Sequence, residues 1–171
     1  SDYAFQGCAI SSADIPNSVI SIGFRAFYTC KALRGLLIIP DSVINIGTSA
    51  FEITGITSVI IGSNVITISD RAFYGSFLGG NLIVPDLVKI IGISAFVGTA
   101  ITSLSLGRSV LMIKASAFDS CNLLSGTLVF PNSTLSICDY AFRSTLITGP
   151  LILPNSLVSI GIGAFSNTYI T

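Results

Sequence analysis

The chain has 171 residues, of which 51% are apolar and only 9% are charged. This composition excludes a disordered chain, and its eight basic and eight acidic residues cancel, so no net field favours nucleic acid. The longest apolar runs, such as residues 36–39, are far shorter than the roughly 18 residues that a membrane-spanning helix needs, so no transmembrane span is predicted.

One dipeptide, Ala-Phe, recurs along the whole chain at nearly constant spacing. Its phenylalanines lie 22 to 24 residues apart, a period typical of solenoids, in which neighbouring coils share a continuous core. Because Ser1 and Thr171 both fall inside a repeat, we expect residues 1–171 to form one solenoid domain that belongs to a longer array. The eight phenylalanines, which should stack as an internal ladder, are Phe5, Phe27, Phe51, Phe73, Phe96, Phe118, Phe142 and Phe165.

A second marker lies eleven residues before each phenylalanine from Phe27 onward. It is Pro or Gly, followed by Asn, Asp, Ser or Arg. Proline suits the second position of a tight turn and Asn or Asp the third, so a corner is predicted here in every coil. The Pro and Gly residues are Pro16, Pro40, Gly62, Pro85, Gly107, Pro131 and Pro154. Aliphatic runs before the corner predict short strands that pair with their copies in the next coil, at 36–39, 59–61, 82–84, 104–106, 128–130 and 151–153.

Two of these repeats resemble the BspA-like leucine-rich repeats. Residues 15–30 read IPNSVISIGFRAFYTC, and residues 39–51 read IPDSVINIGTSAF. The resemblance covers essentially the whole chain and implies a mainly β, right-handed solenoid with coils of about 23 residues and parallel in-register sheets. Proteins of this type are found on the surfaces of bacteria and some protists, where they are linked to adhesion, binding of host or matrix proteins, and aggregation. The family has no common catalytic residues.

The strand regions contain more aliphatic residues than one inward face can hold. Since strand side chains alternate between faces, one aliphatic residue on each side of the corner must point outward. The expected outward residues before the corner, the pre-corner row, are Asp14, Ile38, Ile60, Ile83, Ser105, Val129 and Ile152. Those after the corner, the post-corner row, are Ile20, Ile44, Ile66, Lys89, Leu111, Leu135 and Val158. Such stripes predict burial against another copy or a partner; alternatively, loops of the same chain cover them, or one segment is not a strand.

Three of the four cysteines share one position, three residues after a phenylalanine. Cys8, Cys30 and Cys121 hold it, and the other coils have Thr or Ser there. One interpretation is a tight inward bend that requires a small residue with a polar tip. The other is a Cys8–Cys30 disulfide, because stacked positions lie about 5 Å apart. Cys138 replaces a turn glycine, where it would be a free thiol or link two chains.

The sequence offers little for catalysis or for holding a cofactor. Histidine is absent, which excludes Ser-His-Asp catalysis and histidine metal sites. No phosphate-binding loop, carboxylate pair or calcium motif is recognisable, so we expect no enzyme, no cofactor and no metal. Asn132-Ser133-Thr134 is the one N-glycosylation sequon.

Two functions remain. The first is a structural protein of the cell surface or extracellular space, such as a filament component, which self-associates through the outward aliphatic residues. The second is a surface adhesin or receptor module that binds a protein or glycan on its sheet face. The uniformity of the rows and the absence of tryptophan favour the first, with other copies of the chain or another surface protein as partner.

Overall fold

The computed structural model describes all residues from Ser1 to Thr171 and contains strands and turns only. Fourteen short strands run along the chain. They are β1 Ser21–Ile22, β2 Arg34–Ile38, β3 Asn45–Ile46, β4 Gly55–Ile60, β5 Thr67–Ile68, β6 Gly79–Ile83, β7 Ile90–Ile91, β8 Ala100–Ser105, β9 Met112–Ile113, β10 Ser125–Gly126, β11 Ser136–Ile137, β12 Leu146–Gly149, β13 Ser159–Ile160 and β14 Tyr169–Ile170.

The strands that follow the corner form one continuous parallel sheet of seven strands. Their order is β1-β3-β5-β7-β9-β11-β13, so each coil adds one strand next to the copy in the preceding coil. The register matches equivalent residues: Ser21 pairs with Asn45, and Ile22 with Ile46. In the first six strands of this sheet, β1, β3, β5, β7, β9 and β11, the second residue is buried. This arrangement confirms the predicted mainly β solenoid with parallel, in-register coils.

The strands before the corner differ from the prediction. They form three separate sheets, β2-β4, β6-β8 and β10-β12-β14. The strands of the first two sheets begin at earlier residues than expected. A bulge after Gly35 lets Leu36 pair with Ser58 and leaves Thr57 unpaired, and the β6-β8 pair repeats this bulge after Gly80. Gly35 and Gly80 both have positive φ, which glycine adopts without strain. In the last coils the predicted strands 128–130 and 151–153 are reduced to one bridge between Val129 and Ile152.

The corner turn is placed one residue later than predicted. The amide of Val43 donates to the carbonyl of Pro40, so Pro40 is the first residue of the turn and Asp41 the second. The same bond recurs from Val19 to Pro16 and from Val110 to Gly107. Proline therefore does not set the dihedral angles inside the turn. Because it has no N–H, it ends the strand pairing instead.

Glycine at the corner has a different role from proline. A Cβ atom added to Gly62 would lie 2.3 Å from the Pro40 carbonyl oxygen, and one added to Gly107 would lie 2.2 Å from that of Pro85. Both glycines have a negative φ, so their role is to leave room for the preceding coil rather than to permit an unusual backbone. The Pro and Gly corners are therefore not interchangeable.

The Ala-Phe segment is a run of turns rather than a strand. Neighbours Ala50 and Phe51 are both fully buried, which an alternating strand cannot achieve. Ser49 and Ile53, two residues either side of Phe51, have positive φ, and this pattern recurs in every coil. The Phe51 amide donates to the Ala72 carbonyl of the next coil at 2.8 Å. The segment is thus bonded between coils on alternate amides.

The phenylalanines form the predicted ladder. Consecutive rings stack with centroids 5.0 to 5.5 Å apart and planes within 16° of parallel. The rings from Phe51 to Phe142 are fully buried within a core of 38 residues, whereas Phe5 in the first coil is 45% exposed. Stacking gives each interior ring two aromatic neighbours.

Coil length varies in one place only. Residues 36–51, 58–73, 81–96 and 103–118 run from equivalent strand positions to the phenylalanine and have the same length. The differences in spacing therefore arise between each phenylalanine and the following strand. The longest of these turns follow Cys30 and Cys121, where the amides of Leu33 and Leu124 close an extra turn onto the cysteine carbonyls.

Candidate interaction surfaces

The pre-corner row lies on the outer face of the strands that enter the corner. Its aliphatic side chains are 54 to 69% exposed: Ile38, Ile60, Ile83, Val129 and Ile152. Pairing places Ile38 beside Ile60, and Ile60 and Ile83 line the same shallow groove. Asp14 and Ser105 are the polar positions of the row, and both are exposed. The row is therefore aliphatic from Ile38 to Ile83 and again at Val129 and Ile152.

The post-corner row is a ladder of adjacent residues just before the seven-stranded sheet. The amide of Ile44 donates to the Ile20 carbonyl, and this bond recurs in each coil up to Val158. Its exposed aliphatic side chains are Ile20, Ile44, Ile66, Leu135 and Val158. Leu111 differs from the expectation, since it is half-buried, and Lys89 is the row's exposed cation. No loop of the chain covers either row, contrary to the alternative in which the same chain buries them.

A third surface, which sequence reasoning missed, follows the Ala-Phe turns. We call it the Ala-Phe ridge; it consists of the residues two before and one after each phenylalanine. Its aromatic and charged members are Tyr3, Arg25, Tyr28, Glu52, Arg71, Tyr74, Asp119, Tyr140 and Arg143. Aligning the coils on phenylalanine would have revealed the ridge, because chemically distinctive residues fall at two fixed positions.

Two arginines of the ridge bind carboxylates of the preceding coil. Arg71 donates to both oxygens of Glu52, with Nε–Oε2 at 3.0 Å and Nη2–Oε1 at 2.6 Å. Arg143 donates to both oxygens of Asp119 in the same bidentate geometry. Each guanidinium also lies over a tyrosine ring, Arg71 at 3.9 Å from the Tyr74 centroid. The ridge therefore joins successive coils by hydrogen-bonded ion pairs with aromatic support.

The ion pair sets the protonation of Glu52, which is 3% exposed. Burial alone raises the pKa of this carboxyl. The hydrogen bonds from Arg71 and Ser49, together with the charges of Arg71 and Arg25, outweigh burial and hold the pKa below its ordinary value. Glu52 is therefore charged at neutral pH. The same pair raises the pKa of Arg71.

This shift predicts a pH-dependent stability. A depressed carboxyl pKa stabilises the fold above the unfolded value of about 4.3, and the stabilisation is lost as pH falls through the folded pKa. We expect Glu52→Gln to lower the free energy of unfolding by about 1 to 2 kcal/mol at pH 7, since Arg71 is partly exposed. Urea denaturation should show a smaller difference between the variant and the wild type at pH 3 than at pH 7. Asp14→Asn, which removes an exposed acid without an ion pair, is the control, and an equal loss at both pH values would contradict the prediction.

The repeat pattern itself identifies the family. A family model for the BspA-type leucine-rich repeat region, with six copies, matches residues 1–125 and 124–171. The chain belongs to the BspA-type leucine-rich repeat family. No curated protein sequence matches it significantly.

Solved structures of bacterial leucine-rich repeat proteins share the fold of this BspA-type chain. A protein from Bacteroides ovatus is 28% identical, with a TM-score of 0.67 over 94% of this chain and 48% of its own. A Treponema pallidum leucine-rich repeat protein is 22% identical, with a TM-score of 0.73 over 92% of this chain and 76% of its own. A protein from Eubacterium ventriosum is 21% identical, with a TM-score of 0.60 over 88% and 47%. The chain thus spans about half the length of the B. ovatus protein.

The cysteines of this BspA-type solenoid are free thiols in the structure. Cys30 Sγ donates to the Phe5 carbonyl at 2.8 Å, and the Cys8 amide donates to the same oxygen. The two cysteines thus bond to the same carbonyl oxygen. A Cys8–Cys30 bridge stays a prediction. Burial raises the pKa of Cys121 to about 12, so its thiol remains protonated and donates to the Phe96 carbonyl. Cys138 is half-buried, with Sγ 3.6 Å from Ser136 Oγ.

The position shared by three cysteines is a polar capping position. In the coils with Thr or Ser there, the hydroxyl donates to the carbonyl of its own phenylalanine three residues earlier, as Thr54 does to Phe51 at 2.9 Å and Ser76 to Phe73 at 2.8 Å. Cysteine fills the same space and donates to the phenylalanine carbonyl of the preceding coil. A small residue with a polar tip is what the bend requires.

The sequon lies at an exposed corner. Asn132 is exposed, whereas the hydroxyls of Ser133 and Thr134 both donate to the Val110 carbonyl. A glycan on Asn132 is compatible with this geometry and stays a prediction. No three His, Cys, Asp or Glu side chains converge as metal ligands would. No helix has the length and hydrophobicity that crossing a membrane requires.

Proposed function

We propose that this BspA-type chain is a non-catalytic structural element of a cell-surface or extracellular assembly, and that it self-associates through its two aliphatic rows. The observation that carries the proposal is the exposure of both rows along the solenoid. Monomeric proteins rarely expose apolar patches larger than a few hundred Å². The surface location follows from the family resemblance to surface proteins of bacteria and protists.

The regular spacing of the rows favours a second copy over an unrelated partner. Neighbouring coils are about 4.8 Å apart, so an identical row on another copy has the same repeat and can match it along its length. The rows contain no aromatic residue, whereas surfaces that recognise a different protein are enriched in tyrosine, tryptophan and arginine. Lys89 is the one cation among the row positions and Asp14 the one acid.

The oligomeric state tests this proposal. We expect the wild-type chain to associate reversibly with rising concentration in sedimentation velocity experiments. Replacing Ile38, Ile60 and Ile83 by lysine should weaken association at least about tenfold, because three apolar contacts become charged and repel one another. The same three lysines at exposed polar positions, Thr57, Thr102 and Ser12, provide the control. A wild-type chain that stays monomeric at millimolar concentration would refute self-association.

The Ala-Phe ridge favours a second candidate function, binding of a protein ligand as an adhesin or receptor module. The exposed Tyr140 and the partly exposed Arg143 are of the residue types that dominate binding energy at protein interfaces. Binding on the ridge would leave the aliphatic rows free. The two roles are therefore compatible within one chain.

A further inference from the structure

The Ala-Phe ridge carries three arginines, each beside a tyrosine, and only two of them bind a carboxylate. Arg71 lies beside Tyr74 and binds Glu52, and Arg143 lies beside Tyr140 and binds Asp119. Arg25 lies beside Tyr28 but makes no ion pair. The third arginine therefore has the aromatic support without the acid.

The reason is a single residue in the preceding coil. Glu52, which binds Arg71, is the residue directly after Phe51. The equivalent residue for Arg25 follows Phe5 and is Gln6, an exposed amide with no side-chain hydrogen bond to Arg25. Glu52 also attracts Arg25 electrostatically, but its oxygens are hydrogen-bonded to Arg71. Arg25 is left with an unfilled carboxylate position.

Aromatic rings hold the guanidinium of Arg25 in place. The guanidinium lies over the rings of both Phe24 and Tyr28, 5.0 and 4.8 Å from their centroids, and Tyr3 packs edge-on against Phe24. The Nε atom is buried without a hydrogen-bond partner, whereas the two Nη atoms are accessible and make no hydrogen bond. A guanidinium fixed in this way loses little conformational entropy when it binds an acid.

We propose that Arg25 receives an aspartate or glutamate side chain from an acidic segment of a partner protein, flanked by contacts with Tyr3 and Tyr28. The ridge follows a turn and Arg25 lines none of the five main cavities, so the ridge suits a protein segment rather than a small ligand, which would need a concave site. A tyrosine next to a fixed arginine supplies both the apolar contact and the charge-assisted hydrogen bond of a binding hot spot. This surface is separate from the aliphatic rows, so the inference does not depend on self-association.

Peptide binding tests the inference. Fluorescence anisotropy with a labelled octaglutamate peptide at low salt should show binding that an octaglutamine peptide lacks. Arg25→Gln should weaken octaglutamate binding about tenfold, because a hydrogen-bonded charge pair is lost. Gln6→Glu should weaken it by a similar factor, because the introduced carboxylate would occupy Arg25 from within the chain. Lys89→Gln removes an unpaired cation from the post-corner row and should leave binding within about twofold of wild type.

The Gln6→Glu variant also distinguishes a filled site from a damaged fold. If its carboxylate binds Arg25 as Glu52 binds Arg71, the melting temperature should rise by about 2 to 4 °C while peptide binding falls. The inference is overturned if octaglutamate and octaglutamine bind equally, or if the Arg25→Gln and Gln6→Glu variants bind octaglutamate as the wild type does. It is also overturned if Lys89→Gln weakens binding as much as Arg25→Gln, since the attraction would then be nonspecific.

Discussion

Gly107→Ala is expected to lower the free energy of unfolding by more than about 3 kcal/mol, although the substitution adds one methyl group. The new Cβ would lie 2.2 Å from the Pro85 carbonyl oxygen, and the backbone of the preceding coil must move to make room. Gly107→Pro, which copies the corner residue of the neighbouring coils, should be at least as damaging. Urea denaturation followed by far-ultraviolet circular dichroism measures both changes.

Gly80→Ala is the matched control for Gly107→Ala. Gly80 has a φ of +72° and no atom within 4 Å of an added Cβ, so the control introduces backbone strain without overlap. Its expected effect is about 1 kcal/mol. If Gly107→Ala destabilises the chain no more than Gly80→Ala, close approach of the coils is not what requires glycine at this corner.

The second large effect is expected at the centre of the ladder. Phe96→Ala removes a fully buried ring that stacks on Phe73 and Phe118 with centroids 5.4 and 5.2 Å away. The lost burial and the cavity together should lower the free energy of unfolding by about 3 to 5 kcal/mol. Chemical denaturation measures the loss, with two spectroscopic probes because solenoids can unfold in parts.

The ladder provides its own control at the first coil. Phe5 is 45% exposed and stacks on Phe27 alone, so Phe5→Ala should have less than half the effect of Phe96→Ala. Equal losses at the two positions would contradict the prediction, because Phe5 is both less buried than Phe96 and has one stacked neighbour instead of two.

The features repeated in every coil were predictable from sequence, because eight copies reinforce one pattern. Ala-Phe predicted the ladder, and the surplus of aliphatic residues predicted outward positions such as Ile38 and Ile44. The exact position of the corner turn was not predictable, because Pro40 is the first residue of the turn, whereas proline more often occupies the second position. Register shifts such as that after Gly35 depend on the facing coil and cannot be derived from one coil alone.

Features that occur only once, or that depend on contacts between two coils, could not be predicted from the sequence. By sequence, Gly62 and Gly107 are equivalent to the corner prolines. In the structure, the Pro40 and Pro85 carbonyls lie too close to these glycines for a side chain to fit. The pairing of Arg71 with Glu52 joins residues 19 positions apart, which matches no local motif. This pairing can be recognised only when the repeats are aligned as stacked coils. The same alignment shows that the position equivalent to Glu52 opposite Arg25 is Gln6 rather than an acid.

The confinement of length differences to the turn after phenylalanine divides each coil into a fixed part and an adjustable part. The strand, corner and Ala-Phe turns keep one length, so their spacing transmits the stacking geometry from coil to coil. The turn after Cys30 or Cys121 has already absorbed additional residues without displacing Phe51 or Phe142 from the ladder. Foreign peptide segments grafted at the exposed Lys31 or Asn122 would therefore be displayed along the solenoid edge at defined multiples of the coil spacing.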